Sequence, residues 1–194
     1  MKSQGRVLTP GILLGAIIVA TIALTASAQP TSCAPPPAGL VSWWAAEGNT
    51  LDSVGTNNGV LVNGAGFGAG EVGQAFLFDG NTQAFFIPYT RSLLTSNYSA
   101  EAWVKPLTQV SDPSNQEQII GQAGGWQLAV RPGASGVKVA FFFANSTGGF
   151  PGVVSTTELP LGQFSHVVGT WDGTTQRLYI NGVLNAQSDR KSVV

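Results

Sequence analysis

Residues 99–105 read SAEAWVK, and strict alternation divides them between two faces. As a strand, the stretch puts Ser99, Glu101, Trp103 and Lys105 on one side and Ala100, Ala102 and Val104 on the other. The second set suits an interior, which leaves Glu101 and Trp103 pointing outward. An outward indole beside a carboxylate is what a sugar platform needs: the ring packs on C–H faces and the carboxylate accepts from hydroxyls. A later stretch, residues 164–184 (FSHVVGTWDGTTQRLYINGVL), adds to that side. Arg177 and Tyr179 alternate against Gln176, Leu178 and Ile180, and His166 falls on the neighbouring strand. Glu101, Trp103, His166, Arg177 and Tyr179 are therefore the candidate ligand-binding residues, with carbohydrate as the ligand class. The competing reading makes Trp103 a core residue and Glu101 a satisfied buried polar group. Of the adjacent Trp43 and Trp44, only one can face inward.

A second chemistry lies in residues 47–59 (EGNTLDSVGTNNG). Calcium takes hard oxygen ligands from carboxylates, Asn side chains and backbone carbonyls. Glu47, Asn49, Asp52 and Asn57 could supply them, with Asn58 beside them and Asp79 with Asn81 as another pair. The same residues are also turn formers that bond their own backbone, and both readings stand at this point. Catalysis is poorly provided for. The carboxylates are Glu47, Asp52, Glu71, Asp79, Glu101, Asp112, Glu117, Glu158, Asp172 and Asp189, and no two sit two apart on a strand. No G-x-S-x-G elbow occurs. With 1 His in the chain, a His-rich zinc site has too few ligands. We expect no enzyme.

The elements that must position these residues are strands. Residues 167–171 are β-branched and aromatic. Asp172-Gly173 turns the chain into residues 176–180, and Asn181-Gly182 turns it again into Val183-Leu184. Asn-Gly between apolar runs is the strongest short hairpin signal, because a type I′ turn needs positive φ twice. Upstream, residues 40–44, 60–62, 74–78, 84–87, 100–104, 118–121, 126–131, 137–144 and 153–157 read as strands. Residues 64–73, with Gly at every second or third position, read as a loop. No stretch holds a helical period. About ten short strands separated by turn signals predict an all-β sandwich.

At 194 residues the chain fits one domain plus extras. It is 43% hydrophobic and 10% charged, with 25 Gly and 11 Pro, a composition suited to many turns. Residues 1–28 read as a secretory signal peptide: Lys2 and Arg6, an apolar run over 11–24, then Ala26-Ser27-Ala28 as a cleavage site. The run is short for a membrane span of about 20 residues. We expect a secreted or cell-surface protein with no membrane span after cleavage. Residues 29–38 (QPTSCAPPPA) read as a Pro-rich linker. The net charge of −1 becomes more negative once Lys2 and Arg6 are removed. No basic patch tracks a phosphate backbone, which argues against a nucleic-acid partner. Cys33 is the 1 Cys in the chain. It could be a free thiol, a lipid-modified Cys lacking the usual upstream apolar residue, or half of a disulfide with sequence outside this chain, which we favour. Asn97-Tyr98-Ser99 and Asn145-Ser146-Thr147 match the glycosylation sequon.

Four blocks, in order, resemble the LamG-like jelly-roll domains of the concanavalin A-like lectin/glucanase group, a laminin G and pentraxin-like family. They are residues 39–44 followed by Glu47-Gly48-Asn49, residues 72–86 (VGQAFLFDGNTQAFF), residues 99–106 (SAEAWVKP) and the meander of residues 164–184. The resemblance implies an antiparallel jelly-roll β-sandwich over residues 39–188. It implies a non-catalytic recognition module for carbohydrate or a glycan-bearing surface, with calcium at a rim loop. Glucanases of this group share a carboxylate trio, E-x-D-x-x-E, that this chain lacks. The alternative within the fold is a structural or protein-adhesion spacer without a sugar site. The family adds closing strands, often G-x-I-D-E-V-R-I-Y, and none follows Leu184. We therefore expect a domain cut short at its C-terminal end, with residues 189–194, which a sequencing adapter can encode, as an artefactual tail.

Overall fold

The computed structural model describes residues 35–93, 95–110, 117–121, 125–143 and 151–189. The chain divides into two units, Met1–Pro35 and Pro36–Val194, and every described strand belongs to the second. The signal peptide, Cys33 and the Asn145 sequon lie outside the described residues.

The described residues form twelve strands and one 3-10 turn, Arg91–Leu93. The strands are β1 (Val60–Val62), β2 (Gly66–Ala69), β3 (Gln74–Leu77), β4 (Ala84–Phe86), β5 (Tyr98–Val104) and β6 (Glu117–Gly121). They continue as β7 (Trp126–Pro132), β8 (Val137–Phe143), β9 (Gly152–Leu159), β10 (Ser165–Trp171), β11 (Thr175–Ile180) and β12 (Val183–Asp189). All pairings are antiparallel. Two four-stranded sheets, ordered β12-β11-β10-β5 and β6-β7-β8-β9, accompany two ribbons, β1-β4 and β2-β3.

The two large sheets share one core. Leu128, Val130, Val137, Val139, Phe141, Val153 and Leu159 from one sheet meet Val167 and Leu178 from the other, with Tyr98, Ala102, Val104 and Ile180 packed around them. β-branched and aromatic residues at every second position fill the space between pleated faces. The fit is close at Gly169. A Cβ there would lie 2.5 Å from the Phe141 ring, so a larger residue has no room. Tyr98 stacks on Trp126 at 5.2 Å, and burial pushes its phenol up to about 12. The turns are those that Asn-Gly dictates: φ is 49° and 78° at Asn181-Gly182 and 56° and 82° at Asn63-Gly64.

Three expectations about elements meet a different structure. Residues 40–44 are not a strand; the segment makes one isolated bridge, Trp44 to Asp52. Gly39 turns the chain at φ 86°, and the Trp43 N–H goes to a side chain, Asp52 Oδ1, rather than to a sheet. The Gly-rich stretch at 64–73 contains β2, held against β3 by Phe67 on Phe76 at 5.6 Å. Aromatic packing across the ribbon offsets the weak strand propensity of glycine. Finally, β12 runs on to Asp189, whose Oδ1 accepts the Thr175 hydroxyl, so the boundary drawn at residue 188 falls inside a strand.

Candidate carbohydrate-binding face

The outward face of the β12-β11-β10-β5 sheet is set by register. Val167 and Leu178 are buried in the core, so their strand neighbours point away from it. Cross-strand partners share a face, and the partners are His166 with Trp103, Val168 with both Glu101 and Tyr179, and Thr170 with both Ser99 and Arg177. All five candidate ligand-binding residues therefore lie on one side of one sheet. Trp103 is 55% exposed there, against the reading that makes it core.

Three of the five touch. The Trp103 and His166 rings sit 5.2 Å apart at 38°. His166 Nε2 lies 3.5 Å from Glu101 Oε2. The Asn181 turn fixes the His166 backbone from both sides: its N–H donates to Asn181 Oδ1 at 2.9 Å, and its carbonyl accepts from the Asn181 N–H at 2.8 Å. Asn181 was readable only as a turn former; its second task appears once β10 and β11 are paired. Lys105, next along the strand, lies over the Phe164 ring at 4.9 Å.

Arg177 and Tyr179 share the face but not the cluster. The Arg177 guanidinium donates to Asp172 Oδ2, and this bond, followed by those from Thr175 and Thr174, holds the Asp172 carboxyl well below the usual range. The bond to Asp172 raises Arg177 in turn. Arg177 thus closes the turn between β10 and β11.

The loop candidates are occupied otherwise. Asp52 is 8% exposed, and its Oδ1 accepts N–H bonds from Trp43, Val54 and Gly55 at 3.0, 3.1 and 2.9 Å. Its Oδ2 accepts from the Asn57 N–H at 3.1 Å. Burial works to raise this carboxyl, but the bonds from Gly55, Trp43, Val54 and Ser42 outweigh it and hold it well below the usual range. Asn49 Oδ1 accepts from Leu51 N–H, Asn58 Oδ1 from Asp52 N–H and Glu47 Oε1 from Gln74 N–H. Asn57 joins Ser42 and Ser92 through its amide and accepts the Trp44 indole N–H on its carbonyl. Asp79 Oδ1 takes the N–H groups of Asn81 and Gln83. Among the described residues no three of His, Cys, Asp and Glu gather as metal ligands. As arranged, these side chains bond the backbone of their own loop and its neighbours. Of the adjacent tryptophans, Trp44 packs edge-on against Phe85 while Trp43 is 49% exposed.

A family model described as the concanavalin A-like lectin/glucanases superfamily matches residues 79–194, more than half of the chain. The chain belongs to the concanavalin A-like lectin/glucanase superfamily. Its superfamily fold is also that of domain 4 of AbnA, a GH43 extracellular arabinanase from Geobacillus stearothermophilus, solved in complex with arabinotriose. That structure matches with a TM-score of 0.56 and 19% identity over 73% of this chain and 70% of its own. An S-layer domain-containing protein from Clostridium thermocellum (residues 221–444) aligns with a TM-score of 0.45 and 22% identity, over 76% of this chain and 71% of its own. No curated protein sequence matches the chain. Among the described residues, no helix is long and apolar enough to cross a membrane.

Proposed function

We propose that the chain is a non-catalytic carbohydrate-recognition module of an exported protein, and that it reads sugar with Glu101, Trp103 and His166. One observation carries this: Trp103 is a large aromatic left 55% exposed on the outward sheet face, in contact with His166, which in turn adjoins Glu101. An indole face offers C–H packing to a pyranose, and the carboxylate and imidazole beside it give an acceptor and a donor to its hydroxyls. Tyr179, half-buried on the same face beyond Val168, extends the surface. Arg177 acts on the turn and is assigned no ligand. The complex of AbnA domain 4 with arabinotriose supports neutral saccharides as the first class to try. The basic start, apolar run and small-residue site read in residues 1–28 support export. The loop around Asp52 is held by its own hydrogen bonds.

The test is a glycan array probed with the full chain and with Trp103→Ala. Saturable binding to a neutral glycan, reduced at least tenfold in the variant while Tm is held, is the expected result. Binding to no glycan on the array would leave a spacer or protein-adhesion domain as the better description. Release of reducing ends from any polysaccharide would make the chain an enzyme.

A further inference from the structure

The outward face of the other sheet holds a charge arrangement that the fold does not need. Leu128, Val130, Val137, Val139 and Phe141 are core residues, so Gln127, Ala129, Arg131, Lys138, Ala140 and Phe142 face the other way. Arg131 and Lys138 are direct cross-strand partners. Like charges directly opposite one another destabilise an antiparallel pair.

The residue placed to offset them is Glu158, the partner of Lys138 on β9. Its carboxylate turns elsewhere. Oε1 accepts from the Ala134 N–H at 2.6 Å, and Oε2 accepts from the Ser135 and Gly136 N–H groups at 2.9 Å each and from the Ser135 hydroxyl at 3.1 Å. Among the described residues, no carboxylate forms an ion pair with Arg131 or Lys138. The Arg131 guanidinium lies 5.8 Å from the centre of the Phe142 ring. Beside them, Gln127 donates to Gln118 Oε1 at 3.0 Å. Ala129 and Ala140 on this face are 0% exposed.

Two adjacent cations, an aromatic ring and a pair of amides make a surface for a sugar that carries negative charge. We propose that this face binds an anionic saccharide chain. Arg131 and Lys138 take its carboxylate or sulfate groups, Phe142 packs against a ring, and the Gln118–Gln127 amides meet hydroxyls. Guanidinium suits such groups because its fork of N–H donors can bond two oxygens at once. The chain is net −1, so attraction to a polyanion has to come from a local patch such as this one rather than from overall charge. The site is separate from the Trp103 face and does not depend on it.

The experiment passes the full chain over immobilised polygalacturonate, dextran sulfate and plain dextran at low and high salt. Retention is expected on one or both charged matrices, weakening at least tenfold as salt rises. Polygalacturonate alone points to carboxylates as the ligand group, and dextran sulfate alone to sulfates. Arg131→Gln/Lys138→Gln should lose this retention at least tenfold, while Trp103→Ala keeps it. Lys138→Gln alone relieves the like-charge pair, so it should weaken retention and melt no lower than the wild type. No retention on either charged matrix, retention unchanged in the double variant, or loss in Trp103→Ala equal to that in the double variant would each overturn the proposal. Failure of neutral-glycan binding with retention here intact would sink the Trp103 reading alone.

Discussion

Asp52 is the place to test whether one side chain organises the loop before β1. Asp52→Ala removes the acceptor for four backbone N–H groups, those of Trp43, Val54, Gly55 and Asn57. A hydrogen bond to a charged acceptor contributes about 1.5–3 kcal/mol net. The four do not add, because they share one carboxylate and because water can reach Trp43 and Val54, 49% and 40% exposed. The expected loss is that of two such bonds, roughly 3–6 kcal/mol. Asp52→Asn keeps an acceptor at Oδ1 but sets an NH₂ group against the Asn57 N–H, so it should cost about half as much, roughly 2 kcal/mol. Against a typical domain stability of about 5–15 kcal/mol, the alanine variant should be badly weakened. Urea unfolding of the full chain gives the ranking, and amide exchange at the four donors shows whether the loop opens first. A loss below about 0.5 kcal/mol for Asp52→Ala, the range of an ordinary surface change, would refute the reasoning. So would an asparagine variant less stable than the alanine one. Calcium offers a cross-check, since a bound ion raises Tm by mass action. Millimolar calcium should leave wild-type Tm unchanged; a rise that vanishes in Asp52→Asn would show that the loop does hold the ion.

Gly169→Ala forces a methyl group to within 2.5 Å of the Phe141 ring, and overpacking of this kind costs about 1–3 kcal/mol. A drop in urea midpoint that Phe141→Leu partly rescues is expected, and strict additivity of the two changes would deny the contact. The Glu158 carboxyl is lowered to about 2 by the Ala134, Ser135 and Gly136 N–H groups, below its usual value of 4.5. A lowered folded-state value contributes stability that is full above the unfolded value and lost as pH falls through the folded one. Tm should therefore fall between about pH 4.5 and 2, and Glu158→Gln should fall less over that window; equal slopes would contradict the assignment.

Much of the fold was legible because period-two alternation survives in the core strands. It separated Glu101 and Trp103 from Ala100, Ala102 and Val104, and Arg177 and Tyr179 from Leu178 and Ile180, and both separations hold. The Asn-Gly turns were equally plain, since their backbone demand is local. What spacing could not convey was who pairs with whom. Nothing in the order of residues says that β5 lies beside β10, and only that pairing brings Trp103 onto His166. Residues 40–44 read as a strand yet form none, because the Trp43 N–H answers to a carboxylate nine positions on, a side-chain effect invisible to strand propensity. β2 escapes a reading by composition because glycine counts against a strand until Phe67 meets Phe76. Arg177 stood on the right face, yet Asp172, across the turn, had the nearer claim on it.

The pairing of β5 with β10 has a kinetic consequence. β10, β11 and β12 follow one another through short turns, and such hairpins form in about 1–10 μs. β5 can join them only after the whole of β6–β9 has been looped out, and closing so long a loop carries an entropy cost that local turns avoid. On loop entropy alone, Trp103 would meet His166 after the meander has formed. A newly made chain could show a finished meander and still have no platform. Any saccharide that requires Trp103 and His166 together would select molecules in which both large sheets are assembled, and would stabilise them in proportion to RT ln(1 + [L]/Kd). Recognition on this face would then double as an inspection of the finished product.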